Sequence, residues 1–157
     1  MPEVTVSIGS NVATRSEELS RAFLFLRHLL EDTRETPPYV TEAEPIGHRR
    51  FPEGFTYLNA VVTGRTDLTP EALQTRMKAY ERRRGRKPHP EAAREKHSEV
   101  VQPEEMEVII DLDLVSYDGR ILKPSEAASA HFQRGMAMLS NPQGRSREKI
   151  YIPDNEG

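Results

Sequence analysis

Asp111 and Asp113 stand two residues apart in the run Val108 to Val115, VIIDLDLV, which is otherwise apolar. On a strand that spacing puts both carboxyl groups on one face, about 6.6–7 Å apart along the chain. Burying two like charges so close together raises at least one pKa sharply unless a cation lies between them. Mg²⁺, a hard ion held through one or two carboxylates and completed by substrate phosphates, suits such a pair. A strand whose aspartate face simply meets water accounts for the same two residues, and the pair alone leaves both readings open.

Three further groups could take part in such chemistry. Gly9-Ser10-Asn11 follows an alternating run, Arg82 to Lys87 is a basic stretch, and His131-Phe132-Gln133-Arg134-Gly135 lies near the C-terminus. Each has a plain alternative: a strand exit, a solvated helix end with its cations at the negative pole, and surface residues on a loop. His28, His48, His89 and His97 share no metal-ligand spacing, so zinc is not expected.

These residues need a scaffold. Val4, Val6 and Ile8 alternate with polar residues up to the Gly-Ser-Asn turn, which reads as a strand. Leu19, Ala22, Phe23, Leu26, Leu29 and Leu30 recur at helical spacing after Ser16, a suitable N-cap, predicting a helix over about 16–31. Tyr39-Val40-Thr41 and Phe55 to Val62 read as strands joined by a loop punctuated at Pro45, Gly47, Pro52 and Gly54. Thr69-Pro70 opens a second helix carrying Leu73, Met77 and Tyr80, closed by Arg84-Gly85. Val108 to Val115 reads as a buried central strand, and Tyr117-Asp118-Gly119-Arg120 as a turn into a short strand at Ile121-Leu122. Between them, about 86–106 is rich in proline and both charges, and a mobile loop of that length reads as either a functional lid or a disordered linker. The order suits an α+β fold, a ferredoxin-like βαββαβ core whose antiparallel sheet carries its helices on one face.

Composition bounds the partners. The chain has 157 residues, Lys+Arg 22 against Asp+Glu 25 for a net charge of −3, and no cysteine. That length fits a single domain over 1–157. The charge balance argues against nucleic acid or an anionic membrane, so any phosphate site must be local. Without cysteine, thiol nucleophiles, thiolate metal sites and disulfides are excluded, and a cytoplasmic setting is expected. The N-terminal stretch has no signal-peptide pattern and nowhere do about 18 apolar residues run together.

Taken in order, Ile8-Gly9-Ser10-Asn11, Tyr39-x-Thr41-Glu42 with Pro45-x-Gly47, Tyr57-Leu58-Asn59, Glu81 with Gly85-Arg86, Asp111-Leu112-Asp113, and His131 with Arg134-Gly135 resemble the 6-hydroxymethyl-7,8-dihydropterin pyrophosphokinase (HPPK) family over about residues 4–139. The resemblance implies transfer of pyrophosphate from ATP to the hydroxymethyl group of a reduced pterin, a step in folate biosynthesis. It implies two Mg²⁺ ions on Asp111 and Asp113, with Arg86 beside them in the catalytic group. Thr41, Pro45, Tyr57, Asn59 and Met136 would border the pterin, and Glu81, His131 and Arg134 would face the nucleotide. A monomer is expected.

The family places an arginine three residues ahead of the first aspartate, where this chain has Val108. Glu104, Glu105 and Glu107 surround it. Met136 likewise stands where an aromatic is usual. A pterin- or nucleotide-binding relative impaired in catalysis is therefore the alternative function, and a ferredoxin-like interaction domain is a third.

Overall fold

The computed structural model describes residues 1–43, 54–86 and 107–140. Pro45 and positions 87–106, nearly all of the expected mobile loop, lie outside these residues.

Along β1 (Glu3–Ser10), Val4, Val6 and Ile8 are fully buried on one face, while Thr5, Ser7 and Gly9 occupy the other. β1 lies between β4 (Thr56–Arg65) and β5 (Asp111–Tyr117), antiparallel to both. The strand order is β2-β4-β1-β5-β6, and β3 (Tyr39–Glu42) also pairs with β4. β2 is Glu31–Glu35 and β6 is Arg120–Ile121. With one helix between β1 and β2 and another between β4 and β5, this is the split βαβ order, its edge strand broken into β2 and β3.

One face is closed by α1 (Arg15–Leu29) and α2 (Pro70–Arg83). Leu19, Ala22 and Leu26 from α1 and Leu73 and Met77 from α2 pack on Val6, Ile8, Leu58, Leu112 and Leu114. Each such side chain contributes roughly 1.5–3 kcal/mol on burial, so this face holds most of the fold's hydrophobic stabilisation. The Thr69 side chain accepts a hydrogen bond from Ala72 N at 3.1 Å ahead of Pro70, the cap read from the sequence. α1 begins one residue before Ser16: Thr14 occupies the cap position, without a side-chain cap hydrogen bond.

The structure departs from the sequence reading at four places. The helices do not all lie on one face, because α4 (Ala130–Ser140) packs Phe132 and Leu139 on Val61 and Val115, which point away from α1 and α2. The short α3 (Pro124–Ala128) precedes it, so His131 and Arg134 sit on a helix rather than a loop. β2 was not foreseen, because Glu-Asp-Thr-Arg-Glu has no apolar residue to mark it. It is a bulged edge strand, with Asp32 at φ 52 where the register slips, and Glu35 takes the Arg27 guanidinium. The strand expected from Val108 begins only at Asp111.

Gly135 lets α4 lie flat on this second face. A Cβ there would collide with the Val61 side chain and the Tyr39 hydroxyl.

Candidate functional site

The second face is only partly covered by α4, and beside the helix it opens into a cleft of about 250 Å³. Strand register lays out its floor. Tyr39 pairs with Asn59, Asn59 with Gly9, and Gly9 with Asp111, while Thr41 pairs with Tyr57 and Ser7 with Asp113. Gly9 is thus the bare centre between a neutral end on β3 and β4 and a charged end on β5. A Cβ at Gly9 would come within 3.2 Å of Asn59 Oδ1, so glycine keeps the floor low where the two ends meet.

At the neutral end, Asn59 is buried and its amide donates to the Thr41 hydroxyl. Tyr57 lies half-buried beside them; burial pushes its phenol above the ordinary value, against a hydrogen bond with Asn11. Asn11 also ties the approach to β5: Val108 N donates to Asn11 Oδ1 at 2.8 Å and Asn11 N donates to Val108 O at 3.0 Å. The Gly-Ser-Asn turn is therefore a latch as well as a strand exit.

At the charged end, Asp111 and Asp113 act directly on each other, and their proton affinities are pushed apart. Arg86 Nη1 lies 2.5 Å from Asp111 Oδ1, and Lys123 Nζ lies 2.6 Å from Asp113 Oδ1. Burial pushes Asp113 up, and the neighbouring Asp111 charge adds to it, to about 7. Burial acts on Asp111 in the same sense, but the hydrogen bond from Asp113 and the charge of Arg86 outweigh it and hold Asp111 low.

Glu81 supports this end from behind. It is 4% exposed, accepts from Leu112 N at 2.6 Å, and pairs with Arg86 at 3.3 Å and Lys78 at 3.2 Å. The buried glutamate thus anchors β5 to α2 and aims Arg86 at Asp111, with Lys78 a further 4.0 Å contact to Asp111 Oδ1.

Over the cleft, Glu126 Oε2 receives the Ser7 hydroxyl and His131 Nε2, each at 2.7 Å. Burial pushes the Glu126 carboxyl up, but the His131 and Ser7 hydrogen bonds hold it below its ordinary value.

Of the residues singled out in the sequence, Thr41, Tyr57, Asn59, Asp111, Asp113 and His131 line the cleft together. Arg86 joins them through Asp111. Glu81 is buried behind β5 and Met136 packs against the second-face core. Arg134 lies along β3, where it donates to Val40 O at 3.1 Å and covers the Tyr39 ring. Pro45 lies outside the described residues. Sequence reasoning missed Lys123, Glu126, Ser7 and Lys78. Lys123 had a local signal, its position before Pro124 at the entry to a helix, and Ser7 had the alternation of β1; Glu126 meets His131 only because the chain turns at Ser129 between α3 and α4.

Among the described residues no group of three or more His, Cys, Asp and Glu side chains could hold a metal ion. Asp111 and Asp113 nevertheless fit a magnesium ion, since both donors are hard oxygens and each already draws a cationic side chain, Arg86 to Asp111 and Lys123 to Asp113. No helix of the described residues is long and apolar enough to cross a membrane.

Two comparisons with known proteins bear on this cleft. Residues 84 in number align with the "Folate synthesis bifunctional protein" of Chlamydia caviae at 32% identity, covering 53% of this chain and 19% of that protein. This chain thus matches less than a fifth of that relative's length. The family described as 7,8-dihydro-6-hydroxymethylpterin-pyrophosphokinase (HPPK) matches over residues 5–153, nearly the whole sequence, and its match includes both ends of the cleft. The chain belongs to the HPPK family.

Proposed function

We propose that this protein transfers pyrophosphate from ATP to the hydroxymethyl group of 6-hydroxymethyl-7,8-dihydropterin. The observation that carries the reading is the pairing, across Gly9, of a neutral end of amide, hydroxyl and aromatic groups with a charged end built on two carboxyl groups. Asn59 can donate and accept at the polar edge of a pterin, Thr41 adds a hydroxyl, and Tyr57 offers a ring to stack on. The hydroxymethyl oxygen would then point across Gly9 towards the aspartates.

In the reaction that oxygen bonds to the β-phosphorus of ATP, the bond from this phosphorus to the α,β-bridging oxygen breaks, AMP leaves, and the hydroxyl proton passes to solvent. Such a transfer asks the protein for in-line placement and for neutralisation of charge on the phosphate oxygens. Asp111 and Asp113 would hold Mg²⁺, which supplies that neutralisation when bound. Arg86 keeps Asp111 ionised and ready to ligate, and His131 stands at the rim as a hydrogen-bond donor for phosphate.

The test is to supply ATP, Mg²⁺ and 6-hydroxymethyl-7,8-dihydropterin and to measure AMP. AMP formed in equal amount to the pyrophosphorylated pterin supports the reading. No AMP, together with no binding of an ATP analogue by calorimetry, would overturn it.

A second reading, a binding protein without transfer, is favoured by Val108. Its backbone is latched to Asn11 at the position where the resemblance expects an arginine, and valine carries no charge to offer a phosphate. Binding of the Mg²⁺-bound analogue without AMP formation from ATP would select it.

A further inference from the structure

The cations around the two aspartates are not equally held. Arg86 and Lys78 are each shared with the buried Glu81, and both also donate to backbone carbonyls, Ile110 O and Leu112 O. Their positions are fixed from behind the strand. Lys123 is exposed to about the same extent as Lys78, 37% against 40%, but has only Asp113 as its side-chain hydrogen-bond partner among the described residues.

The backbone of Lys123 is nevertheless anchored. Its N–H donates to Val115 O at 3.3 Å, its carbonyl accepts from Ala127 N at 2.9 Å, and Pro124 follows at the start of α3. A fixed Cα with a flexible four-carbon stem lets the ammonium swing while its base stays beside β5. An ammonium against a carboxylate oxygen occupies the position a divalent cation would take, and the two positive charges repel. Among the described residues, the stretch directly ahead of β5 offers no replacement, since Val108 is neutral and Glu107 beside it is acidic.

We infer that Lys123 is the exchangeable cation of the cleft: it holds Asp113 while no divalent cation is bound, and on release swings to the phosphate oxygens of the incoming nucleotide. Lys123 thereby serves twice, neutralising Asp113 in the empty cleft and supplying the phosphate contact that Val108 cannot. The inference rests on the proposed function, because it presumes a metal-bound polyphosphate as the ligand.

The experiment compares the full chain with Lys123→Met and Lys123→Gln, which keep most of the stem without the charge, and with Lys123→Arg, which keeps the charge. Each is titrated calorimetrically with MgCl₂ alone, then with a non-hydrolysable ATP analogue at saturating Mg²⁺. Both neutral variants should bind Mg²⁺ roughly tenfold more tightly and the nucleotide roughly tenfold more weakly, opposite shifts that damage to the fold would not produce. Lys123→Arg should stay near the native protein in both titrations. Unchanged or weaker Mg²⁺ binding in the neutral variants would overturn the inference, as would unchanged nucleotide binding or an arginine variant that behaves like methionine. If the native protein binds the nucleotide and the variants match it, this inference alone fails; if the native protein binds neither ligand, the proposed function fails with it.

Discussion

The neutral and charged ends of the cleft share one sheet face, yet they are assembled in different ways. The neutral end draws Thr41, Tyr57 and Asn59 from two adjacent strands, and register alone sets them side by side. The charged end draws on α2, the segment after it, β5 and the entry to α3, because each buried carboxyl group needs a cation and β5 supplies none. A neutral polar surface is satisfied by one hydrogen bond per group, whereas a buried charge must be compensated from wherever the chain can bring the opposite sign. Loss of one group at the neutral end should therefore weaken a ligand, and loss of one at the charged end should unbalance the protein itself.

Chemistry is the most sensitive measure of that difference. Asp113→Asn keeps the shape of the side chain and leaves Lys123 half in water, where an unpaired ammonium is tolerated. On the proposed function AMP formation should fall roughly a thousandfold while the melting temperature holds, because the substitution removes a carboxylate that would hold Mg²⁺ against the transferring phosphate. A variant retaining a tenth of native activity would show that the charged end does not perform the transfer.

Arg86→Met should do the reverse. It strips compensation from Asp111 and from Glu81 at once, leaving a buried and a partly buried carboxyl group without the guanidinium they share. Breaking a buried pair from one side costs about 3–5 kcal/mol, and denaturant unfolding should show a loss in that range. A loss under about 1 kcal/mol would mean that Lys78 and solvent suffice.

At the neutral end, Asn59→Leu conserves bulk and removes the amide that donates to Thr41. Pterin affinity measured by calorimetry should drop by roughly ten- to a hundredfold, the loss of one or two hydrogen bonds. Affinity for the Mg²⁺-bound ATP analogue should not change. Equal loss of both ligands would erase the distinction between the ends.

The two ends were not equally legible in the sequence. The aspartate pair stood out because carboxylates at period 2 interrupt an apolar run, a pattern that backbone geometry makes visible without a fold. Asn59 and Tyr57 needed the family resemblance, since either type is ordinary on a half-buried strand. Lys123 and Lys78 could not be read as partners of the aspartates, because their contacts form only when α2 and α3 pack beside β5. Glu81 shows the same limit: the resemblance offers it for contact with the nucleotide, and only the packed structure reveals that it faces β5 and holds Arg86. The core of α1 and α2 was legible through its period, while β2 was not, because an edge strand facing water has no apolar face to display.

The smallest effect separates the ends by pH. Asp113 is raised to about 7 by burial and by the Asp111 charge, so the folded protein holds its proton more tightly than the unfolded chain. The stability this contributes is fully present below the unfolded carboxyl value and is lost as pH rises through about 7. Asp111, held low, acts in the opposite sense and only in the more acidic range below its ordinary value. Between pH 5 and 7.5 the metal-free protein should therefore lose about 2–4 °C in melting temperature per kcal/mol surrendered. Asp113→Asn should show a flatter profile over the same range, and since histidines and buffer act on both proteins alike, the difference between the two curves isolates Asp113. Saturating Mg²⁺ should flatten the native profile too, because a carboxylate that ligates a cation no longer takes up the proton on folding. Asn59→Leu, at the neutral end, should shift the whole curve without changing its slope; a changed slope there would mean that the two ends are electrostatically one site.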